Sequence, residues 1–213
     1  CWLIAPETDG QLAALAELFE RHAKMYIGCS SASIRLAGSK LATIEVLYSA
    51  GLRTVETKKM SDTLPESDSG WVFKPDDGVG GEDCLFISNR EELLSVKKQN
   101  LDGNYIIQPF IKGRYISMSL LVYKNNFRLL ACNQQYINDK NGQFVLEEIG
   151  VNECSELSDQ LYAIAKTIVD NISGLAGHIG VDLIETEVGP VLLEINPRLT
   201  TSYVGLSASL GIN

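Results

Sequence analysis

Gly180-Val-Asp-Leu-Ile-Glu-Thr-Glu-Val-Gly-Pro-Val-Leu-Leu-Glu-Ile-Asn-Pro-Arg198 holds two apolar runs, 181–185 and 191–195, on either side of Thr-Glu-Val-Gly-Pro. This pattern predicts a β-hairpin with a five-residue loop. If Glu185 opposes Val191, both strands step back by three and Asp182 falls opposite Glu194. Side chains alternate along a strand, so Glu194 and Asn196 share a face, while Val191, Leu193 and Ile195 take the other. Asp182, Glu194 and Asn196 then converge on one patch of one sheet.

Two carboxylates about 5 Å apart across a strand pair need a reason. At an effective dielectric of ~20 they repel by roughly 3 kcal/mol, and a divalent cation between them reverses the sign. Carboxylate and amide oxygens are hard ligands suited to Mg²⁺, or to Mn²⁺, and Mg²⁺ takes its other ligands from waters and substrate phosphates. Asn196-Pro-Arg198 sets a cation directly beside the acids. The alternative is a solvated hairpin face with incidental acids in an acidic protein.

The 213 residues allow one or two domains, with 45% hydrophobic and 21% charged residues as in an ordinary globular chain. A net charge of −9 argues against nucleic acid or an anionic membrane as the main partner. No apolar run approaches the length of a bilayer span, and no stretch reads as a signal peptide. Cys1, Cys29, Cys84, Cys132 and Cys154 are scattered, odd in number and without a CxxC pair, which suits buried thiols in a reducing cytoplasm. Both ends read as cut: the chain opens at Cys1 inside an apolar run and stops at Asn213 in helix or its end.

Trp2–Ala5 reads as a buried strand, Thr8–His22 as a helix with Leu12, Leu15, Ala16 and Phe19 inward, and Met25–Gly28 as a second strand. This order predicts the last unit of an open parallel sheet. Residues 29–33 read as a loop. Ser39 is placed to cap a helix running to Gly51, with Leu41, Ile44, Leu47 and Tyr48 inward and Lys40 in its first turn, unfavourable with the helix dipole unless solvated. Residues 58–70 read as a loop. Trp71–Lys74 is a strand entering Pro75-Asp-Asp-Gly-Val-Gly-Gly81, where Gly78, Gly80 and Gly81 allow positive φ and close approach of backbone to a ligand that Lys74 also reaches. Cys84–Ile87 is a strand, and Ser88-Asn-Arg-Glu91 fits a capping box for a helix to Lys98. The strand Asn104–Ile111 leaves the sheet near Pro109, freeing backbone groups at Gln108–Ile111 for a ligand. Strands at 115–123, 127–133 and 144–149, a helix at 155–172 and a last helix at 200–210 complete the expectation.

In this order Ser39-Lys40, Lys74-Pro75 with its glycine loop, Gln108-Pro-Phe-Ile111, Gly180-Val-Asp182 and Leu193-Glu-Ile-Asn-Pro-Arg198 resemble the ATP-grasp superfamily over residues 28–210. Cys132-Asn-Gln-Gln135, Glu194–Tyr203 and the opening Trp2–Gly10 are similar to the group containing tyramine–glutamate ligases of methanofuran-type cofactor synthesis. The resemblance implies an α/β (α+β) chain of ATP-grasp fold, two α+β subdomains clasping ATP after the remnant of a Rossmann-like domain. The divisions it implies are 1–38, 39–111 as the lid and 112–213 for metal and substrate. It further implies that Lys40 and Lys74 contact the phosphates, that Gly78, Gly80 and Gly81 form a phosphate lid, and that Gln108, Phe110 and Ile111 form the hinge beside adenine. The resemblance also implies that Asp182, Glu194 and Asn196 hold Mg²⁺ and that Arg198 faces the transferred phosphoryl group. Many relatives carry a Glu for the ribose two residues after the hinge glycine; here Arg114 and Tyr115 follow Gly113, leaving that contact unassigned.

The activity implied is ATP-dependent ligation of a small-molecule carboxylate to an amine (or a thiol) through an acylphosphate, in the cytoplasm, with Arg198 and Lys74 as the catalytic cations. Phosphoryl transfer needs positioning and charge stabilisation more than a protein nucleophile, and the chain offers no triad. His178 is a candidate base for the amine. The alternatives are a non-catalytic nucleotide-binding module and a small-molecule kinase using the same cleft; a homodimer is compatible with each.

Overall fold

A computed structural model describes residues 1–22, 25–78, 83–99, 104–140 and 143–211. Among these residues nine strands form one sheet: β1 (Lys58–Lys59), β2 (Trp71–Pro75), β3 (Leu85–Ile87), β4 (Tyr105–Pro109), β5 (Arg114–Tyr123), β6 (Asn126–Lys140), β7 (Gln143–Gly150), β8 (Gly177–Thr186) and β9 (Gly189–Asn196). Their order is β1-β4-β2-β3-β7-β6-β5-β8-β9, with antiparallel neighbours throughout. The four strands before residue 110 meet the five after it where Leu85 pairs with Gln143.

The helices are α1 (Gln11–Arg21), α2 (Ser31–Gly38), α3 (Lys40–Ser49), α4 (Arg90–Gln99), α5 (Ser158–Asn171) and α6 (Tyr203–Leu210). Three of them, α2, α3 and α4, start on side-chain caps. Ser39 Oγ accepts from Ala42 N at 3.1 Å, as expected. Ser30 Oγ accepts from Ser33 N at 3.2 Å and opens α2 where the sequence suggested a loop, because Ile34 and Ala37 give the short helix a buried face. At α4 the cap is Asn89, whose Oδ1 accepts from Glu92 N at 2.9 Å, one residue past the expected Ser88.

Two apolar cores back the sheet. The larger joins α1, α2, α3 and α5 to the inward residues of β5, β8 and β9, among them Leu47, Ile116, Leu161 and Val181. The smaller lies under α4 and is drawn from residues 60–107, with Met60, Trp71, Phe73, Ile87, Leu93 and Ile107. Burial of each large apolar side chain contributes about 1.5–3 kcal/mol against exposure. Trp71 also satisfies its polar edge, donating to Pro65 O at 2.8 Å.

Several inward assignments differ. On α1 Ala13 is buried and Leu15 exposed, and on α3 Thr43 replaces the exposed Tyr48 on the buried face. The expected first strand pair is reduced to one parallel bridge, Trp2 with Ile27, and Ile4 is 76% exposed instead of buried. Among the described residues no helix is long and apolar enough to cross a membrane.

Candidate active site

The β8–β9 hairpin turns on two residues, Glu187 and Val188, not five, with Thr186 paired to Gly189 and Glu185 to Pro190. Gly189 takes φ +109°, and Thr186 Oγ1 closes the turn by donating to Gly189 O at 2.8 Å. That tighter turn shifts the register by one residue. A bulge between Asp182 and Leu183 shifts it back, so Asp182 does face Glu194, for a different reason from the one the loop length suggested. Leu193 is the extra residue, and it joins Glu194 in lining the cleft.

Asp182 Oδ1 accepts from Gln135 Nε2 at 2.9 Å and Oδ2 from Asn196 Nδ2 at 2.8 Å. Burial and then the facing Glu194 push the Asp182 carboxyl well above its ordinary range. Burial also acts to raise Glu194, but Lys40 and Lys74 outweigh it and hold that carboxyl low. Lys40 Nζ lies 3.4 Å from Glu194 Oε2. The two acids therefore form an unequal pair, one favouring its proton and one its charge. The hard oxygens of Asp182, Glu194 and Asn196 suit a divalent cation, which would displace that proton.

Lys40 is buried in the first turn of α3 and not solvated, and Asp76 explains how the helix tolerates it. The Asp76 carboxylate accepts from Leu41 N at 2.8 Å and from Ser39 Oγ at 2.6 Å, setting a negative charge at the α3 N-terminus. Lys40 Nζ donates to Gly78 O at 2.7 Å and Asp76 O at 3.2 Å. Lys74, on β2, has its pKa pulled down by burial, with Glu194 opposing. A Cβ on Gly78 would stand 3.1 Å from Pro75 Cβ, so this glycine serves close approach and not positive φ. Gly80 and Gly81 lie outside the described residues.

Beyond β4 the cleft becomes apolar. Phe110 stacks on Phe144 with centroids 6.0 Å apart and meets the edge of Phe86 at 5.1 Å. Ile111, Tyr115 and Leu193 extend the apolar wall. Gln108 is buried with its amide donating to Thr57 Oγ1 at 2.9 Å. Phe110 N donates to Gly70 O at 2.8 Å, so this hinge amide is not free for a ligand, contrary to expectation.

Arg198 closes the polar end. Its Nε donates to Glu7 Oε2 at 2.9 Å, Nη1 to Leu199 O at 3.2 Å and Nη2 to Asn196 Oδ1 at 3.3 Å. His178 lies behind it, buried, with Nδ1 3.2 Å from Arg198 O and its ring edge-on to Tyr203. Burial lowers the His178 pKa. It is not among the residues lining the cleft, which removes the geometric basis for its role as base.

Lys40, Lys74, Gly78, Gln108, Phe110, Ile111, Asp182, Glu194, Asn196 and Arg198 thus line one cleft with a cavity of about 330 Å³. Sequence reasoning passed over Gln135, Asp76, Phe144 and Glu7. The signal for Asp76 was an acid two residues from Lys74; Glu7 carried none, being 191 residues from its partner.

A family model described as ATP-grasp domain matches residues 37–202, and one described as pre ATP-grasp 3 domain matches residues 1–34. Tyramine–L-glutamate ligase of Methanocaldococcus jannaschii is 36% identical over 207 residues, 97% of this chain and 58% of that protein. The same enzyme of Methanocaldococcus fervens is 33% identical over 205 residues, 95% of this chain and 60% of that one. The chain therefore spans less than two thirds of the curated relatives it matches. Among solved structures, an ATP-grasp superfamily protein from Archaeoglobus fulgidus is 26% identical with a TM-score of 0.75, over 99% of this chain and 61% of that one. D-alanine–D-alanine ligase from Bacillus anthracis complexed with ATP shares the fold at 16% identity, with a TM-score of 0.73 over 99% of this chain and 72% of that one. The expected likeness to the tyramine–glutamate ligase group is borne out.

Proposed function

The chain belongs to the ATP-grasp domain family, and from that premise we propose that it is the ATP-binding and metal-binding part of an ADP-forming carboxylate–amine ligase. The observation that carries the reading is the single cleft in which a buried and a half-buried lysine, facing carboxylates and an arginine meet an aromatic slot. Phe110, Phe144, Ile111 and Leu193 form the slot for the flat base, and Lys40 and Lys74 supply point charges for the phosphates. The lid is the stretch with its own core, residues 60–107, narrower than 39–111. A divalent ion such as Mg²⁺, held by Asp182, Glu194 and Asn196, would neutralise phosphate charge.

In this reading a substrate carboxylate oxygen attacks the γ-phosphorus and the bond to the β-phosphate oxygen breaks, leaving ADP. The amine nitrogen then attacks the acyl carbon, and phosphate leaves with the C–O electron pair. Arg198, forked and always charged, grips oxygens of the moving phosphoryl group. Lys74, whose charge burial disfavours, gains most from an anion placed beside it. Closure of the lid excludes water from the acylphosphate. The similarity to tyramine–L-glutamate ligases supports glutamate as the carboxylate and an arylalkylamine such as tyramine as the amine. Free cysteines at all five positions agree with a reducing, cytoplasmic setting.

The test is product analysis with the full-length protein, ATP and Mg²⁺. ADP and phosphate should appear only when glutamate and tyramine are both present, with an amide product by mass spectrometry. ADP release with one acceptor alone, and a phosphorylated product, would instead identify a kinase.

A further inference from the structure

Glu7 stands on the N-terminal segment, yet its carboxylate ends against Arg198. The pair is 2.9 Å long, with the Glu7 side chain 6% exposed and that of Arg198 17%. Its second oxygen, Oε1, is buried without a hydrogen-bond partner among the described residues. A buried ion pair is by itself weak evidence for stability, and one with an orphaned oxygen is weaker still. What the contact does fix is the rotation of the guanidinium. Of its five N–H groups, Nε is spent on Glu7, one on Nη1 goes to Leu199 O, and one on Nη2 goes to Asn196 Oδ1. One N–H on each terminal nitrogen remains, on a side chain that lines the cleft.

Charge gives a second reason for the contact. Asp182 and Glu194 line the same cleft, and an unrestrained arginine would be drawn onto them, competing with a divalent cation for their oxygens. A carboxylate behind the guanidinium opposes that collapse. The same turn also touches the base of the glycine loop: Thr8 Oγ1 donates to Asp77 O at 3.4 Å, and Asp9 N to Asp77 Oδ2 at 3.3 Å.

We propose that Glu7 is the positioning residue of Arg198, so that the N-terminal segment completes the site built by residues from Lys40 to Arg198. Glu7 touches no reacting atom; it holds Nε so that the terminal N–H groups stay turned to the cleft. The kinetic side of this rests on Arg198 facing the phosphoryl group as set out above, whereas the restraint itself does not.

The experiment therefore has two arms on the full-length protein. In the first, the Arg198 Nε–H resonance, assigned by its loss in Arg198→Lys, is followed by NMR without nucleotide. It should exchange slowly in the wild type and at least ~10-fold faster in Glu7→Gln, with Glu7→Asp between. In the second, Glu7→Gln should lower kcat roughly 10-fold with KM for ATP within about two-fold, and that loss should vanish when Arg198 is already Lys. Equal Nε–H exchange in wild type and Glu7→Gln, or a kcat loss that simply adds to that of Arg198→Lys, overturns the proposal. Should Glu7→Gln not fold, the wild-type resonance decides: protection supports the restraint and rapid exchange refutes it. Protected Nε–H with no ADP release from any carboxylate–amine pair would leave Glu7 in place and sink the ligase reading instead.

Discussion

Replacing Asp182 by Asn removes one of two facing half-buried charges while keeping the side chain's size. At about 5 Å and an effective dielectric of ~20 the repulsion relieved is roughly 3 kcal/mol. Lys40, 3.4 Å from Glu194, already absorbs part of it, and so does protonation of Asp182, leaving a net gain of about 1–2 kcal/mol. One of the two donors on Asp182 must then turn to present an acceptor, and Gln135 can, because its carbonyl oxygen has no other partner among the described residues. In a domain of this size each kcal/mol moves the melting temperature by roughly 2–4 °C, so the metal-free variant should melt roughly 2–8 °C higher than the wild type. The wild-type slope with pH follows from the raised Asp182 carboxyl. A group whose folded pKa lies above its unfolded value lends full stability at low pH and loses it as the pH rises through the folded value. As the pH rises from about 4, where an unfolded aspartate ionises, to about 7, where the folded Asp182 does, this group should therefore take melting temperature from the metal-free wild type, and the variant should lose less. Thermal denaturation in EDTA across that range and up to about pH 8.5, repeated with Mg²⁺ and a non-hydrolysable ATP analogue, reads both effects; the ligands should stabilise the wild type more than the variant. A variant that melts below the wild type in EDTA at about pH 8.5 would refute the opposed-carboxylate argument.

Two further outcomes test the cations. Arg198→Lys should keep KM for ATP within a few-fold while kcat falls by roughly 10²-fold, about 2.7 kcal/mol, as for the loss of one preorganised donor; near-normal turnover would reduce Arg198 to a salt bridge for the acidic hairpin. Asp76→Ala removes the acceptor of Leu41 N and Ser39 Oγ, which should cost about 1–2 kcal/mol of stability and weaken ATP binding through Lys40. Melting curves and calorimetry would show both, and an unchanged melting temperature would mean that Ser39 caps α3 unaided.

Much of this protein was legible residue by residue. The shared face of Glu194 and Asn196, the cap at Ser39, the lysine entering a glycine loop and the strand ending near Pro109 all rest on local rules: alternation, a hydroxyl before a helix, a missing N–H. Those rules act within a few residues, so one chain displays them without a fold. The tighter turn and the compensating bulge were not legible, because register is settled by side-chain packing on both faces of the sheet. Nor was the burial of Lys40, which depends on Asp76 arriving from the turn after β2 to offset the charge at the helix start. The helix after Ser30 escaped notice because serine runs serve turns and caps alike, and only packing of Ile34 and Ala37 decides between them. Glu7 and Arg198, 191 residues apart, had no shared signal at all. Burial makes their partnership necessary, and burial exists only once the chain has folded.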